Sequence, residues 1–239
     1  MSKIIQHPLP FWDEREDSPV EVLVLHCSAH NPEEMVGVLT ELRLSSHYII
    51  GEDGRILQLV PEEKKAWHAG VSYWRGKEML NRYSIGIELS SPSMGQAAYP
   101  ASQIRALSTL CRQIMARHGI KPQNVVAHSD VAPTRKPDPG TAFPWQKLAT
   151  KGIGLWYDLA DAGQVAQTDV AALLAQIGYD VSDLAAASYA FCRHFAPQYV
   201  QKMDDIYALI ENVYPADFVL PAECLPILQA CAWKYNHTK

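Results

Sequence analysis

The sequence predicts an α/β fold, a mixed central β-sheet flanked by helices, followed by a small all-α domain of three helices. Three observations predict it. Strand-like and helix-like segments intermingle through about residue 157, as in a layered α/β fold. Beyond Leu159 the apolar residues recur almost only at helical spacing. Of 239 residues 48% are hydrophobic and 20% charged, which supplies a core for both parts and excludes a disordered or collagen-like chain. The length suits one medium domain with a small second. The predicted boundaries are residues 1–162, including an N-terminal arm at 1–19, and residues 163–239.

Taken in order, residues 1–19 carry turn formers and charges and read as the arm. Val20 to His26 is rich in β-branched residues and forms the first strand, which His26 ends. Asn31-Pro32 caps a helix in which Met35, Val36, Leu39 and Leu42 follow at helical spacing. His47 to Val60 is a hairpin whose turn is set by Asp53-Gly54. Ser84 to Ser90 alternates strictly: Ile85, Ile87 and Leu89 face the core, while Ser84, Gly86, Glu88 and Ser90 point the other way. Ala101 to His118 is an amphipathic helix with Ile104, Leu107, Leu110, Cys111 and Ile114 on one stripe, stopped by Gly119 and Pro122. Asn124 to His128 is a short strand. Pro133, Pro137, Pro139, Gly140 and Pro144 then demand a shaped loop up to Trp145. A linker over Asp161–Gln167 leads to helical patterns at Val170–Ile177, Leu184–Phe195, Met203–Val213 and Pro221–Trp233.

Charge and cysteine usage narrow the function classes. Lys plus Arg is 21 and Asp plus Glu 26, a net charge of −5, which argues against nucleic acid as a partner. No run of 18 apolar residues occurs, so no membrane-spanning helix is expected. The five cysteines include no C-x2-C pair and suit a reducing compartment. Pro8, Pro10 and the acidic run after them interrupt any signal-peptide core, so a cytoplasmic location is expected, with envelope delivery by a non-Sec route as the other reading.

Histidine carries the chemistry, because seven of the nine lie within the first 128 residues and two, His26 and His128, end predicted strands beside a buried layer. Each is either a metal ligand or a hydrogen-bonded histidine at a sheet edge. In Arg135-Lys136-Pro137-Asp138-Pro139-Gly140 the residues before proline are pushed into extended conformation, so Lys136 and Asp138 point the same way. They are either solvated in a turn or aimed into one cavity. Two imidazoles and a carboxylate make a three-ligand zinc site with an open fourth position, beside which an ammonium stabilises a developing oxyanion. Glu88 is a solvent-facing strand residue or the general base, and Gly86 beside it leaves room for a ligand backbone. The segment Ala66 to Trp74 offers aromatic and polar groups to sugars and peptides, although Trp67 serves equally as core. Cys27 reads as a buried thiol rather than an exposed nucleophile.

In order, Leu25-His26-Cys27-Ser28-Ala29, Ser46-His47-Tyr48, Ala66-Trp67-His68-Ala69-Gly70, Ser84-Ile85-Gly86-Ile87-Glu88, Val126-Ala127-His128-Ser129-Asp130 and Arg135-Lys136-Pro137-Asp138-Pro139-Gly140 closely resemble the zinc N-acetylmuramoyl-L-alanine amidases. The likeness spans about residues 20–157 and is strongest to the bacterial branch whose third ligand is aspartate. It implies one Zn2+ per chain held by His26, His128 and Asp138, Glu88 as general base and acid, Lys136 polarising the scissile carbonyl, and substrate contacts from His47, Trp67, His68 and Ala69. The implied activity is cleavage of the amide between N-acetylmuramic acid and L-alanine in peptidoglycan or recycled muropeptides. The other readings are a non-catalytic peptidoglycan-binding or recognition protein and a zinc peptidase acting on the stem peptide. Leu173 to Asp180 with Ala190 to Phe195 resembles the three-helix peptidoglycan-binding module, with Cys192 where glutamine is common.

Overall fold

The computed structural model describes residues 4–203 and 213–238. Its centre is a six-stranded mixed sheet built from β1 (Ile4–Gln6), β3 (Val22–Ser28), β4 (Tyr48–Ile50), β5 (Ile56–Gln58), β9 (Ser84–Ser90) and β10 (Val125–Ala127) in the order β1-β5-β4-β9-β3-β10. The β4–β5 pair is antiparallel, as the Asp53-Gly54 turn predicts, and the other neighbours run parallel. Two short antiparallel ribbons flank the sheet: β2 (Trp12–Glu14) with β6 (Lys64–Ala66), and β7 (Tyr73–Trp74) with β8 (Lys77–Glu78).

The helices form where capping and periodicity require. α1 (Pro32–Glu41) starts on a reciprocal Asn31–Glu34 capping box with proline in its first turn. α2 (Ala101–His118) is closed by Gly119 at φ 67°, a left-handed conformation that glycine adopts without steric cost. His128 opens a single helical turn, α3 (His128–Val131), and α4 (Trp145–Ala149) follows the proline-rich loop. The C-terminal part contains α5 (Val170–Ile177), α6 (Leu184–Phe195) and α7 (Leu225–His237). Of the helical pattern expected over Met203–Val213, residues 204–212 lie outside the described residues.

Several expectations shift. The first strand begins and ends two residues later than predicted and carries His26 inside it, because β9 pairs with it as far as Ser28↔Ser90. The N-terminal arm is not loose: β1 adds to the sheet edge beside β5, β2 pairs with β6, and Arg15 is buried. Its strands are three residues long, too short for a period to show.

Both faces of the sheet are covered. On one, Leu23, Leu25, Ile85, Ile87 and Leu89 pack against Ile104, Leu107, Leu110 and Ile114 of α2. On the other, Val22, Val24 and Val126 join one cluster with Leu173, Ile177, Phe191, Phe195, Leu228 and Tyr235 from the C-terminal helices. The strand face expected to look away from the core is thus a second core face.

Candidate active site

Strand register assembles the site. Parallel pairing of β3 with β9 sets His26 opposite Glu88, and pairing of β10 with β3 sets Ala127 opposite Leu25. His128, the next residue along, therefore arrives beside His26. The loop after α3 returns Asp138, whose carbonyl accepts 2.9 Å from the Ser129 N–H. His26 Nδ1 and His128 Nδ1 are 2.9 Å apart, and Asp138 Oδ2 lies 3.4 Å from the former and 3.1 Å from the latter.

These three groups can hold a metal ion. A tetrahedral ion bound at about 2.0–2.1 Å separates its ligand atoms by about 3.3–3.4 Å, close to the triangle present here. All three side chains are buried, where an unpaired carboxylate would be costly. Burial, with His128 alongside, lowers His26 to about 4, so its ring is neutral and open to a cation.

Glu88 Oε1 stands 4.0 Å from His26 Nδ1, on a side chain that remains 15% exposed. Burial and then the charge of Asp138 push its carboxyl up to about 8, against the opposing pull of Lys136. Glu88, Lys136, Trp67, His68, His128 and Asp138 line one cavity of about 140 Å³. A larger recess of about 330 Å³, between the β7–β8 ribbon and residues 180–183, shares none of its residues.

The remaining predicted contacts divide. Trp67 is half-buried, with its indole N–H donating to Asp13. His47 and Ala69 do not line the cavity. His47 is fully buried: its Nδ1 accepts from the Gly86 N–H, and its Nε2 lies 2.9 Å from the Arg15 guanidinium. The room beside Gly86 belongs to no ligand, since the His68 ring fills it and a Cβ there would meet His68 Cγ at 2.5 Å. His30 is exposed, with Nδ1 2.9 Å from the Ser28 hydroxyl. Cys27 lies in the cavity wall but is buried, and desolvation pushes its thiol far up, so it is no nucleophile. The sequence reading missed Arg15, whose guanidinium donates to the carbonyls of Glu62, Asn81, Arg82 and Ser84. It also missed Asn81, whose partners are backbone N–H groups at residues 68 and 69. No periodicity announces a side chain that binds distant backbone. Ser84, by contrast, shares a strand face with Glu88 and was legible by parity.

A family model described as N-acetylmuramoyl-L-alanine amidase matches residues 16–141, which contain every group in the triangle together with Glu88 and Lys136. The chain belongs to this family. It is 42% identical over 208 residues to N-acetylmuramoyl-L-alanine amidase AmiD of Escherichia coli, covering 74% of this chain and 75% of the relative. The solved complex of AmiD with the substrate anhydro-N-acetylmuramic acid-L-Ala-D-gamma-Glu-L-Lys superposes with a TM-score of 0.74 at 36% identity, over 93% of this chain and 92% of that one. AMPDH3 of Pseudomonas aeruginosa, in complex with anhydromuramic pentapeptide, gives 0.75 at 31% identity over 97% and 96%. The protein is an amidase, and its likeness to these two relatives runs through the C-terminal helices as well as the sheet. No helix among the described residues is long and apolar enough to cross a membrane.

Proposed function

We propose that this amidase holds one zinc ion through His26, His128 and Asp138 and hydrolyses the amide joining the lactyl group of N-acetylmuramic acid to L-alanine in muropeptides. One observation carries the reading: three donor atoms converge, and two of their residues, His128 and Asp138, line a cavity with a carboxyl of raised pKa and with a lysine. When bound, zinc lowers the pKa of a water to about 7 and polarises a carbonyl oxygen. Glu88 takes a proton from the attacking water and returns it to the departing amine of L-alanine, so one carboxyl serves as base and then acid. Lys136 presents positive charge to the oxyanion of the tetrahedral intermediate. Trp67 offers an apolar face at the cavity rim to sugar or stem peptide. With Cys27 held as a thiol, no covalent intermediate enters the scheme.

The two relatives bound to anhydro-muramyl peptides support a soluble anhydro-muropeptide as substrate. We place the catalytic unit in residues 1–162 and a peptidoglycan-binding-like helical unit in 163–239. Five free, buried cysteines support a reducing compartment. Incubation of the purified protein with an anhydro-muramyl tripeptide and with intact sacculi, read by mass spectrometry, tests the reading. Release of free anhydro-sugar and an intact peptide beginning with L-alanine is expected. Cleavage between amino acids would instead make the protein a peptidase, and no product from either substrate would leave a recognition protein.

A further inference from the structure

The ligand reading accounts for one nitrogen of each imidazole, and the other two face a single dipeptide. His26 Nε2 lies 3.0 Å from His68 Nδ1, and His128 Nε2 lies 3.3 Å from the carbonyl oxygen of Ala69. The far ends of these contacts fix the protons. A carbonyl oxygen only accepts, so His128 carries its proton on Nε2 and its Nδ1 is bare. The Ser84 hydroxyl donates to the Leu80 carbonyl at 2.6 Å, so Ser84 Oγ accepts from His68 Nε2 at 3.2 Å. Neutral His68 therefore has a bare Nδ1, which accepts from His26 Nε2 and leaves His26 Nδ1 bare in turn. Both rings thus turn a lone pair toward Asp138, the arrangement a cation needs.

The dipeptide is itself pinned. Asn81 Oδ1 accepts from the backbone N–H of His68 at 3.1 Å and of Ala69 at 2.8 Å. Gly86 gives the His68 ring its seat against β9, since a Cβ there would overlap it.

We propose that His68-Ala69, held by Asn81, is a clamp that sets the tautomer and orientation of both histidine ligands, with His68 and Asn81 as positioning residues for the metal. The clamp rests on the ligand reading above. Partners in this position hold ring orientation and raise ligand basicity, and their loss typically weakens metal binding about 10–100-fold.

The test is titration of the metal-free protein with Zn2+ and Co2+ against a competing chelator, together with the visible spectrum of the Co2+ form. The parent should bind one equivalent and His128→Ala should not. His68→Leu and Asn81→Ala should each bind about 10–100-fold more weakly with an altered Co2+ spectrum. His68→Asn, which restores an acceptor near the place of Nδ1, should recover most of the loss, a rescue that mere packing would not give. Should His68→Leu fail to fold, Asn81→Ala decides the matter, because Asn81 is only half-buried. A parent that binds no metal overturns the ligand reading and the clamp with it. A parent that binds tightly, with His68→Leu or Asn81→Ala equally tight and spectrally unchanged, overturns the clamp alone.

Discussion

Glu88 and His128 do different work, and substitution separates them. Glu88 Oε1 stands 4.0 Å from His26 Nδ1, and its carboxyl owes its raised pKa to burial and to Asp138. Glu88→Ala should keep its metal and lose turnover by about two to four powers of ten, the usual share of a general acid–base group. Metal analysis beside a rate assay on one preparation checks both halves, and near-parental turnover would remove Glu88 from the mechanism. His128→Ala removes a donor atom, so metal content itself should fall, and a full complement of ion would refute the ligand set. At this scale the sequence was informative because period-2 alternation places His26 and Glu88 on definite faces, and because Pro137 and Pro139 force Lys136 and Asp138 to point alike. It named His68 as a substrate contact and did not show the ring's second contact, with His26, in the space that Gly86 leaves.

At the scale of elements, Glu62 ties the sheet to α2. Its carboxylate accepts from the Tyr48 hydroxyl of β4 at 2.6 Å and from Arg117 Nε at 3.1 Å, and lies 2.6 Å from His118 Nε2, both at the C-terminal end of the helix. Burial would raise its pKa, but the hydrogen bonds from Arg117, Tyr48 and His118 outweigh it and hold it at about 2, below its ordinary 4.5. A depressed folded-state pKa stabilises the fold above the unfolded value, and the stabilisation is lost as the folded state takes up its proton. Thermal midpoints should therefore fall between about pH 4.5 and about pH 2, and Glu62→Gln should flatten that part of the profile. An unchanged slope in Glu62→Gln would deny the tie. Elements with a strong period were readable to the residue: α2 occupies the predicted span, fixed by its apolar stripe and Gly119. The N-terminal strands were not, since each is three residues long and pairs with a segment about fifty residues away.

At the scale of the molecule, the family match ends at residue 141 and the core does not. Val22, Val24, Trp74, Leu80, Val126 and Val131 share their cluster with residues of α5, α6 and α7. A polar tie accompanies this packing. Asp130, in the turn that begins with His128, is fully buried; it accepts from the Ala127 N–H at 2.8 Å and the Tyr179 hydroxyl at 2.7 Å, and His194 Nδ1 lies 2.7 Å away. Two of these partners come from the C-terminal part, so the loop that delivers a ligand histidine is braced by the helical unit. Tyr179→Phe keeps the ring but leaves a buried carboxyl oxygen short of a donor, and should cost about 1–3 kcal/mol in denaturant unfolding. Truncation after residue 162 goes further. It would expose several Val and Leu side chains at roughly 1.5–3 kcal/mol each, against a total stability of about 5–15 kcal/mol for a domain of ordinary size. The expected result is a fragment that does not unfold cooperatively, seen as a lost calorimetric transition. If residues 1–162 instead melted cooperatively and bound metal like the parent, the helices would be an appended module and not part of the core that positions His128.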